Sequence, residues 1–427
     1  MREIIAKLNQ KDSSKGETTM LFNNHLLFTA ALGLTPPWEV KDLKFSVAEH
    51  RLDIWVGYPA GTTFPCPVCG KNASVYDTRE QTWRHLNFFQ HETYLHAGVP
   101  RVECPHGCGV KTIKVPWARE RSDFTLLFEA YIMLLVKEMP VNAVADLIGE
   151  HDTRLWRILK YHVQEARAKA DYSGVRKIGI DETSAKKGHD YITFFVDLQK
   201  ARLLFAAEGK GKETVSAFTE DLAQHGGSPE KIESVCCDLS PSFVAGVKEQ
   251  LPKAELVFDR FHIMKIVNEA VDEVRRDESK ENELLKKTRY LWLKNPEKLT
   301  KKQQKKLESL KYENLDTVKA YNIKLSLRSF FEQPDRKTGE EFLKRWYFWA
   351  THSRLVPIVN AAYTIKDHWE GILNWFSSRI TNGLLEGLNS LIQAAKARAR
   401  GYRNKENFIT ISYIIASDLD YGLPALR

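Results

Sequence analysis

The feature that most constrains the fold of this chain is an ordered alternation of strand and helix patterns between residues 176 and 276. Three apolar segments, RKIGIDET, YITFFVDLQ and ARLLFAAEG, follow one another closely enough to form an antiparallel meander. After them come a helix, the strand IESVCCD, a helix, the strand AELVFD and a long helix. The predicted order is βββαβαβα, the ribonuclease-H-like arrangement, in which the fourth strand lies beside the first.

Acidic residues stand at the ends of the two strands that this arrangement makes neighbours. Asp181 ends the first strand and Asp238 ends the fourth, so their carboxylates should lie side by side. Two carboxylates that close repel each other unless divalent cations lie between them, and oxygen ligands of this kind favour Mg²⁺ or Mn²⁺. Two such ions about 4 Å apart can activate a water or a 3′-hydroxyl and stabilise the leaving oxygen in phosphodiester displacement.

A third acid, Glu386, lies on a predicted late helix that has a polar and an apolar side. At about 100° per residue, one narrow stripe carries Asn382, Glu386, Asn389 and Gln393. The roughly opposite side carries Leu384, Leu388, Leu391 and Ala395. We expect the apolar side to pack on the sheet edge or on neighbouring helices, which leaves the polar stripe facing a groove, where Asn382 and Asn389 would contact DNA.

Basic residues follow Glu386 closely. They are Lys396, Arg398, Arg400, Arg403 and Lys405. Side chains of this kind suit contacts to DNA phosphates. A solvated amphipathic helix with a basic end would explain the same pattern without any site. The two strand-end aspartates favour the site, so the sequence predicts a metal-binding triad of Asp181, Asp238 and Glu386.

Four of the six cysteines form two short couples with the spacing of a zinc site. The couples are Cys66 with Cys69 and Cys104 with Cys108. A tetrahedral Zn²⁺ that joins them would be structural, because protein fills all four positions. Metal can also stabilise a small β module that has little core of its own. The alternatives are His106 in place of Cys108 as fourth ligand, or four unrelated buried thiols.

Three predicted helices between residues 124 and 168 have the lengths of a helix-turn-helix. A long apolar-faced helix, a short helix and a glycine-containing turn precede the third helix, 153–168. The third helix carries Arg154, Arg157 and Lys160 on its solvent side, where a recognition helix would present them to the major groove. A plain helical linker is the alternative.

Composition excludes several other classes of protein. The chain has 427 residues, of which 43% are apolar and 28% charged, and this balance excludes collagen, coiled coil and wholesale disorder. No uncharged apolar run is long enough to cross a membrane, and the N-terminus lacks the apolar stretch of a secretory signal. We therefore expect a cytoplasmic protein. The net charge of +8 says little by itself, but local clustering of the cations suggests a polyanionic partner.

Four motifs together resemble the ISL-three family of bacterial insertion-sequence transposases. They are GIDET (179–183), CCDLSPSF (236–243), VFDRFHIMK (257–265) and TNGLLEGLNSLIQAAKARARGYRNKENF (381–408). The last motif is long and specific, and the resemblance extends from about Met20 to the C-terminus. It implies a DDE transposase that binds the terminal inverted repeats of its element, cleaves the ends and joins them to target DNA. Carried over by motif, the triad is Asp181, Asp238 and Glu386, with Mg²⁺.

The resemblance also implies partners and location. The partner is double-stranded DNA, both transposon ends and target, and the protein associates with the nucleoid when DNA is bound. Two ends must be cut together, so we expect a homodimer on paired ends. One rival is a DNA-binding regulator built on a retired transposase, which would tolerate loss of a carboxylate. A second is a structure-specific nuclease of the same fold, which would not need two extra N-terminal DNA-binding modules.

The sequence predicts a multidomain α+β chain of six segments. They are a lead-in (1–42), a β-rich zinc-binding module (43–117), a helix-turn-helix domain (118–172), the first part of a ribonuclease-H-like catalytic domain (173–276), an α-helical insertion (277–376) and the last part of the catalytic domain (377–427). The insertion carries Trp292, Trp346, Tyr347 and Trp349. These aromatic side chains could stack on a flipped base, but at helical spacing they are more often core.

The segment DRFH leaves two roles open. Asp259 ends the fifth strand and could simply cap the helix that begins at Phe261. Alternatively, Asp259 and His262 line the DNA groove beside the metals, with Arg260 or His262 touching the scissile phosphate. A position one strand beyond Asp238, about 5 Å away, is peripheral for an obligatory metal ligand but close enough for DNA. We therefore predict a DNA contact for His262.

Overall fold

The computed structural model describes residues 24–185, 190–378 and 383–426. Within them the chain forms two compact units, one of residues 24–138 with 422–426 and one of residues 139–421. The boundary falls inside the segment predicted as the helix-turn-helix domain, and the predicted domain bounds remain predictions. Asn382, a predicted DNA contact, lies outside the described residues. Among the helices of the described ranges, none has both the length and the apolar character needed to cross a membrane.

The first unit is built on a six-stranded sheet. A short helix, α1 (Asn24–Ala31), precedes the sheet and α2 (Leu126–Glu138) follows it. The strands are β1 (Glu39–Ser46), β2 (Arg51–Gly57), β3 (Thr63–Pro65), β4 (Asn72–Phe88), β5 (His91–Cys104) and β6 (Gly109–Thr112). Their order is β1–β2–β5–β4–β3, and β6 also pairs with β5. The β2–β5 pair is parallel and the other pairs are antiparallel.

This first unit has a substantial apolar core. Trp117 packs edge to face against Trp38, with ring centroids 4.9 Å apart, and against Trp83 at 5.6 Å. Strand β2 contributes Leu52 and Ile54, both buried. The expectation that the β module has little core of its own was wrong, because the long strands β4 and β5 carry the sheet well beyond the cysteine couples and enclose these aromatic rings.

Two helices open the second unit. They are α3 (Val141–Ile148) and α4 (Asp152–Ala168). The second and third helices predicted for the helix-turn-helix are thus confirmed, and the predicted start of the third helix differs by one residue. Between them Gly149 has a φ of 73°, in the left-handed region that glycine adopts without steric cost, and its N–H bonds to the carbonyl of Ala145. This turn ends α3 and redirects the chain into α4.

The second unit contains the predicted mixed sheet. Its strands are β7 (Lys177–Ser184), β8 (Tyr191–Asp197), β9 (Arg202–Glu208), β10 (Ser234–Cys237) and β11 (Glu255–Phe258). The strand order is β11–β10–β7–β8–β9, with β7, β8 and β9 as an antiparallel meander. Strand β10 is parallel to both β7 and β11. The connecting helices are α5 (Lys212–Gln224), α6 (Pro241–Gln250) and α7 (Arg260–Glu278). The predicted adjacency of the first and fourth strands is confirmed.

Helices fill the chain from residue 289 to residue 378. They are α8 (Arg289–Leu293), α9 (Lys301–Leu310), α10 (Asp316–Phe330), α11 (Arg336–Thr351), α12 (Val356–Asp367), α13 (Trp369–Leu373) and α14 (Trp375–Ser378). Their apolar side chains share one core with the mixed sheet of β7 to β11, called the catalytic sheet below. Trp292 and Trp346 are buried in that core, so for these two the core interpretation is confirmed, whereas Trp349 is 40% exposed.

A buried lysine ties two of these helices together. Lys324, on α10, is fully buried and donates to the carbonyls of Trp292 at 2.7 Å and Leu293 at 2.9 Å. These carbonyls end α8 and would otherwise lack helical partners. Burial lowers the pKa of Lys324 to about 8. The last turn of α8 is therefore held against α10 by hydrogen bonds as well as by packing.

The helix that carries Glu386 lies against the first strand of the catalytic sheet. This helix is α15 (Gly383–Arg398), and α16 (Lys405–Ala416) follows it. Leu385 is buried over Gly179 of β7, where a Cβ atom added to the glycine would overlap the Cδ1 atom of Leu385. The expected packing of the apolar side was wrong for Leu384 and Leu391, which are 44% and 53% exposed. Leu385 packs on the bare backbone of Gly179 instead, so α15 is turned about its own axis relative to the predicted orientation.

We predict that Gly179→Ala lowers the melting temperature and displaces α15. The added methyl group would overlap Leu385, and overpacking of this kind costs about 1–3 kcal/mol. Thermal unfolding followed by circular dichroism measures the effect. Gly387→Ala on α15 is the matched control, because no other atom lies within 4 Å of its added Cβ and alanine favours a helix. An unchanged melting temperature for Gly179→Ala would contradict this packing.

Candidate active site

Three carboxylates lie side by side where the parallel pairing of β7, β10 and β11 ends. The prediction that Asp181 ends the first strand was wrong, because β7 continues to Ser184 through its pairing with β8. Asp181 lies in β7, Asp238 directly follows β10 and Asp259 directly follows β11. The parallel registers of β10 with β7 and with β11 place all three at the same height along the sheet. Because neighbouring strands are about 4.8 Å apart, the three acids form a row along one edge of the sheet.

Burial and neighbouring negative charge both make Asp181 a weaker acid than usual, with a raised pKa. The pKa of Asp181 is raised to about 6, mainly by burial, with smaller contributions from the charges of Asp238 and Asp259; the backbone N–H of Glu182 and the charge of His262 oppose this shift. Carboxylates gathered this closely fit a divalent metal, whose charge would favour the ionised forms. Oxygen donors of this type suit Mg²⁺ or Mn²⁺.

Asp259 serves as a helix cap and as a partner of His262 at the same time. One carboxylate oxygen accepts from the backbone N–H of Phe261 at 2.9 Å, which caps α7. The other oxygen lies 3.0 Å from Nδ1 of His262. This hydrogen bond raises the pKa of His262, and the charges of Asp238 and Asp181 add to the effect. The two roles left open by the sequence are therefore compatible, and the cap orients an imidazolium toward the row of acids.

Three side chains of α15 hydrogen-bond to strand β7. Asn389 donates its amide to the carboxylate of Asp181, and Gln393 donates to the hydroxyl of Thr183. The ammonium of Lys396 donates to the carbonyl of Ser184. Asn389 and Lys396, both predicted DNA contacts, thus have partners on β7. Sequence reasoning missed this pairing, although the polar residues on one stripe of α15 match polar residues on β7.

Glu386 lies on the same helix, one turn before Asn389. The rise between these two residues is about 4.5 Å, so the contact of Asn389 with Asp181 brings Glu386 to the edge of the carboxylate row. Glu386 is exposed and lines, together with Asp259, a cavity of about 550 Å³. The fold thus gathers Asp181, Asp238, Asp259 and His262 at one end of the sheet, and Glu386 lines the cavity that begins there.

The remaining predicted DNA contacts differ in their surroundings. On α4, Arg157 is exposed, whereas Arg154 pairs with Glu150 at 2.5 Å and Lys160 pairs with Glu406. The other three are exposed and lie at or after the end of α15: Arg398, Arg400 and Arg403. Arg157 is therefore the predicted cation of α4 with the most accessible side chain.

The four predicted zinc ligands lie together in the first unit. The ligand atoms of Cys66, Cys69, Cys104 and Cys108 all lie within 4.8 Å of one another, and the sulfurs of Cys69 and Cys104 are 3.5 Å apart. A tetrahedron of thiolates around Zn²⁺ at about 2.3 Å needs separations of this size. The backbone N–H of His106 lowers the pKa of Cys104 to about 6, which favours the thiolate form that binds metal. Cys108, not His106, completes the cluster.

Three family models match the chain in sequence order. The zinc-finger of transposase IS204/IS1001/IS1096/IS1165 matches residues 62–108. The helix-turn-helix domain of transposase family ISL3 matches residues 113–163. A transposase model, the DDE domain of the same family, matches residues 178–412, which is more than half of the chain. These matches bear out a structural zinc site, a DNA-binding helix-turn-helix and a catalytic domain that uses a divalent metal.

Curated relatives extend over most of the chain. The transposase for insertion sequence element IS1557 of Mycobacterium tuberculosis is 28% identical over 433 residues, covering 92% of this chain and 95% of the relative. The transposase for insertion sequence element IS1001 of Bordetella parapertussis is 26% identical over 363 residues, covering 82% and 88%. The similarity therefore includes the zinc-finger, the helix-turn-helix and the catalytic domain together.

We predict that the purified protein contains about one zinc ion per chain, held by the cysteine cluster. Cys66→Ser should lose most of this zinc and weaken DNA binding, because one thiolate ligand is missing and the turn at the couple is no longer held. Elemental analysis, with reducing agent present throughout, measures the metal. Cys236→Ala is the control, because this buried thiol lies in β10, outside the cluster. Wild-type protein without zinc would refute the assignment.

Proposed function

The chain belongs to the ISL3 family of transposases and is a DNA transposase, and we propose that it cuts and joins DNA at Asp181, Asp238 and Glu386. The observation that carries this proposal is the row of aspartates at the same height on three neighbouring parallel strands, beside the helix of Glu386. We propose Mg²⁺ as the divalent metal. Bound there, it would activate the attacking water or 3′-hydroxyl and stabilise the leaving oxygen.

In this proposal the neighbouring residues orient the acids and the DNA. Asn389 holds one oxygen of Asp181 and thereby limits rotation of that carboxylate. His262, held by Asp259, points a cationic ring toward the acids, where it can contact the scissile phosphate. Asp259 is buried and Asp181 is partly buried, which lowers the dielectric around them. The low dielectric strengthens the attraction between His262 and these two carboxylates.

The proposed DNA substrate is the pair of terminal inverted repeats of the element, together with target DNA. The zinc module and helix-turn-helix would bind the repeat, with Arg157 of α4 toward the major groove. Lys160 could exchange its exposed partner Glu406 for a phosphate, because surface ion pairs are worth only about 0–1 kcal/mol. Exposed Arg398, Arg400 and Arg403 would contact the DNA backbone near the acids.

We propose that two copies act together on paired ends. Each element has two ends, and concerted cutting of both requires two active sites. A structure-specific nuclease of the same fold is the competing function, and it would cleave without joining. Incubation of the protein with end DNA, Mg²⁺ and a target plasmid distinguishes the two, because only a transposase links the 3′-hydroxyl to the plasmid.

We predict that Asp181→Asn, Asp238→Asn and Glu386→Gln each abolish cleavage and joining but leave end binding intact. Each substitution removes a metal-binding charge while it preserves the shape of the side chain. Gel assays of cleavage and strand transfer, beside a mobility-shift assay, separate chemistry from binding. Glu308→Gln, an exposed carboxylate of α9, is the control and should stay active. Near-normal strand transfer by any of the three would remove that residue from the triad.

We predict that His262→Ala slows joining about a hundredfold, as loss of one positioned electrostatic group does, without changing the Mg²⁺ requirement or the melting temperature. The rate of joining at several Mg²⁺ concentrations measures this. Asp259→Asn is the companion variant, because asparagine caps a helix as well as aspartate does but lacks the charge. If Asp259→Asn is inactive and recovers only at much higher Mg²⁺, Asp259 is itself a metal ligand.

A further inference from the structure

A groove runs along α7 from the carboxylate row into the helical insertion. It consists of two adjoining cavities of about 550 and 460 Å³. The larger one begins at Asp259 and Glu386. Four residues line both cavities and form the middle of the groove: Phe261, Met264, Asn268 and Leu293. This groove leads away from the acids and is not used by the triad.

The middle of the groove combines an aromatic ring with a buried amide. Phe261 is 59% exposed, although a ring of this size usually packs in a core. Met264 and Leu293 extend the apolar surface beside it. The Oδ1 atom of Asn268 is buried and accepts no hydrogen bond from any described residue. A buried acceptor of this kind costs free energy unless a donor from a ligand reaches it.

Cations form the rim of the groove at both ends. In the larger cavity they are Arg260, Lys294, Lys298 and Arg328, against the carboxylates of Asp259 and Glu386. In the smaller one they are Lys265, Arg275, Arg276 and Arg289, against Glu269 and Asp272. Among the described lining residues the cations therefore exceed the carboxylates by two in each cavity. A rim of this composition attracts phosphate groups.

We propose that this groove holds one unpaired nucleotide of the DNA strand that is being cut or joined. Its base would stack on Phe261 and donate a hydrogen bond to Asn268, while its phosphates meet the cationic rim. This inference rests on the proposed function, because Asp259 and Glu386 line the same cavity and place the nucleotide next to the scissile phosphate. Lys324 supports the site indirectly, since it holds the carbonyl of Leu293 in the groove wall.

The chemistry of the groove favours a single nucleotide over duplex DNA or a protein segment. A cavity of a few hundred Å³ accommodates one base with its sugar, whereas a duplex is far too wide. An exposed aromatic ring beside cations is the usual platform for unpaired bases. A duplex that lay across the rim would contact the lysines and arginines but would leave Phe261 and Asn268 without any function.

The test uses fluorescence of 2-aminopurine, a base analogue that brightens when it leaves the stack. Duplexes carrying the terminal repeat and flanking DNA receive the analogue at successive positions around the cleavage point. They are mixed with full-length protein that carries Asp181→Asn, so that binding occurs without cutting. We expect fluorescence to rise at one position. Adding Phe261→Ala should abolish the rise, and Phe261→Tyr should preserve it. Tyr312→Ala, at an exposed aromatic residue outside both cavities, is the control.

Cleavage assays with an otherwise wild-type chain complete the test. Phe261→Ala should cut normal ends about tenfold more slowly, because it loses one base-stacking contact. An abasic site at the bright position should restore its rate, because no base then has to leave the stack. A variant lacking Lys294 and Lys298 should be slow on both substrates.

The outcomes separate this inference from the proposed function. Suppose that wild-type protein cuts the ends. If 2-aminopurine then brightens at no position with the Asp181→Asn protein, or brightens equally when Phe261→Ala is added, the groove does not hold an unpaired nucleotide. If only the lysine substitutions matter, the groove contacts duplex phosphates and the inference is wrong. If wild-type protein neither binds nor cuts the ends with Mg²⁺, the proposed function itself fails.

Discussion

Mutual repulsion among carboxylates at one edge of a parallel sheet is the constraint on which the site depends. Parallel strands place Asp181, Asp238 and Asp259 at the same height, and the burial of Asp259 and the partial burial of Asp181 reduce the screening by water. Such a row is stable only with compensating positive charge. The protein supplies part of it through His262, and a divalent metal would supply the rest. Strand pairing that builds the core thus also gathers negative charge that a divalent metal would compensate.

The attachment of α15 to β7 converts this row of acids into a site with a fourth carboxylate. Leu385 fits over the bare backbone of Gly179, and the amide of Asn389 reaches Asp181. These contacts join segments about 200 residues apart in the chain, with the helical insertion between them. Because the insertion shares its core with the sheet, it also forms one wall of the groove that begins at Glu386. The insertion is therefore part of the scaffold of the site.

The helix-turn-helix and the zinc cluster differ from the carboxylate row in how their charges are balanced. On α4, Arg154 and Lys160 are both paired with carboxylates, and a phosphate could replace the exposed Glu406 beside Lys160 at little cost. The zinc cluster contributes rigidity of another kind, because it holds two turns of the first unit together independently of the aromatic core.

The sequence by itself determined the helices and strands, the strand order, the cysteine cluster and the proximity of Asp181 to Asp238. Periodicity and turn residues depend on near neighbours, so the strands around Asp181 and Asp238 and the cysteine couples were predictable. Only the tertiary structure decided which side of α15 packs, leaving Leu384 and Leu391 exposed. It also decided that Trp292 is core and that Phe261 faces a groove. These outcomes depend on partners distant in sequence, such as Gly179 beneath Leu385, and local periodicity carries no information about them.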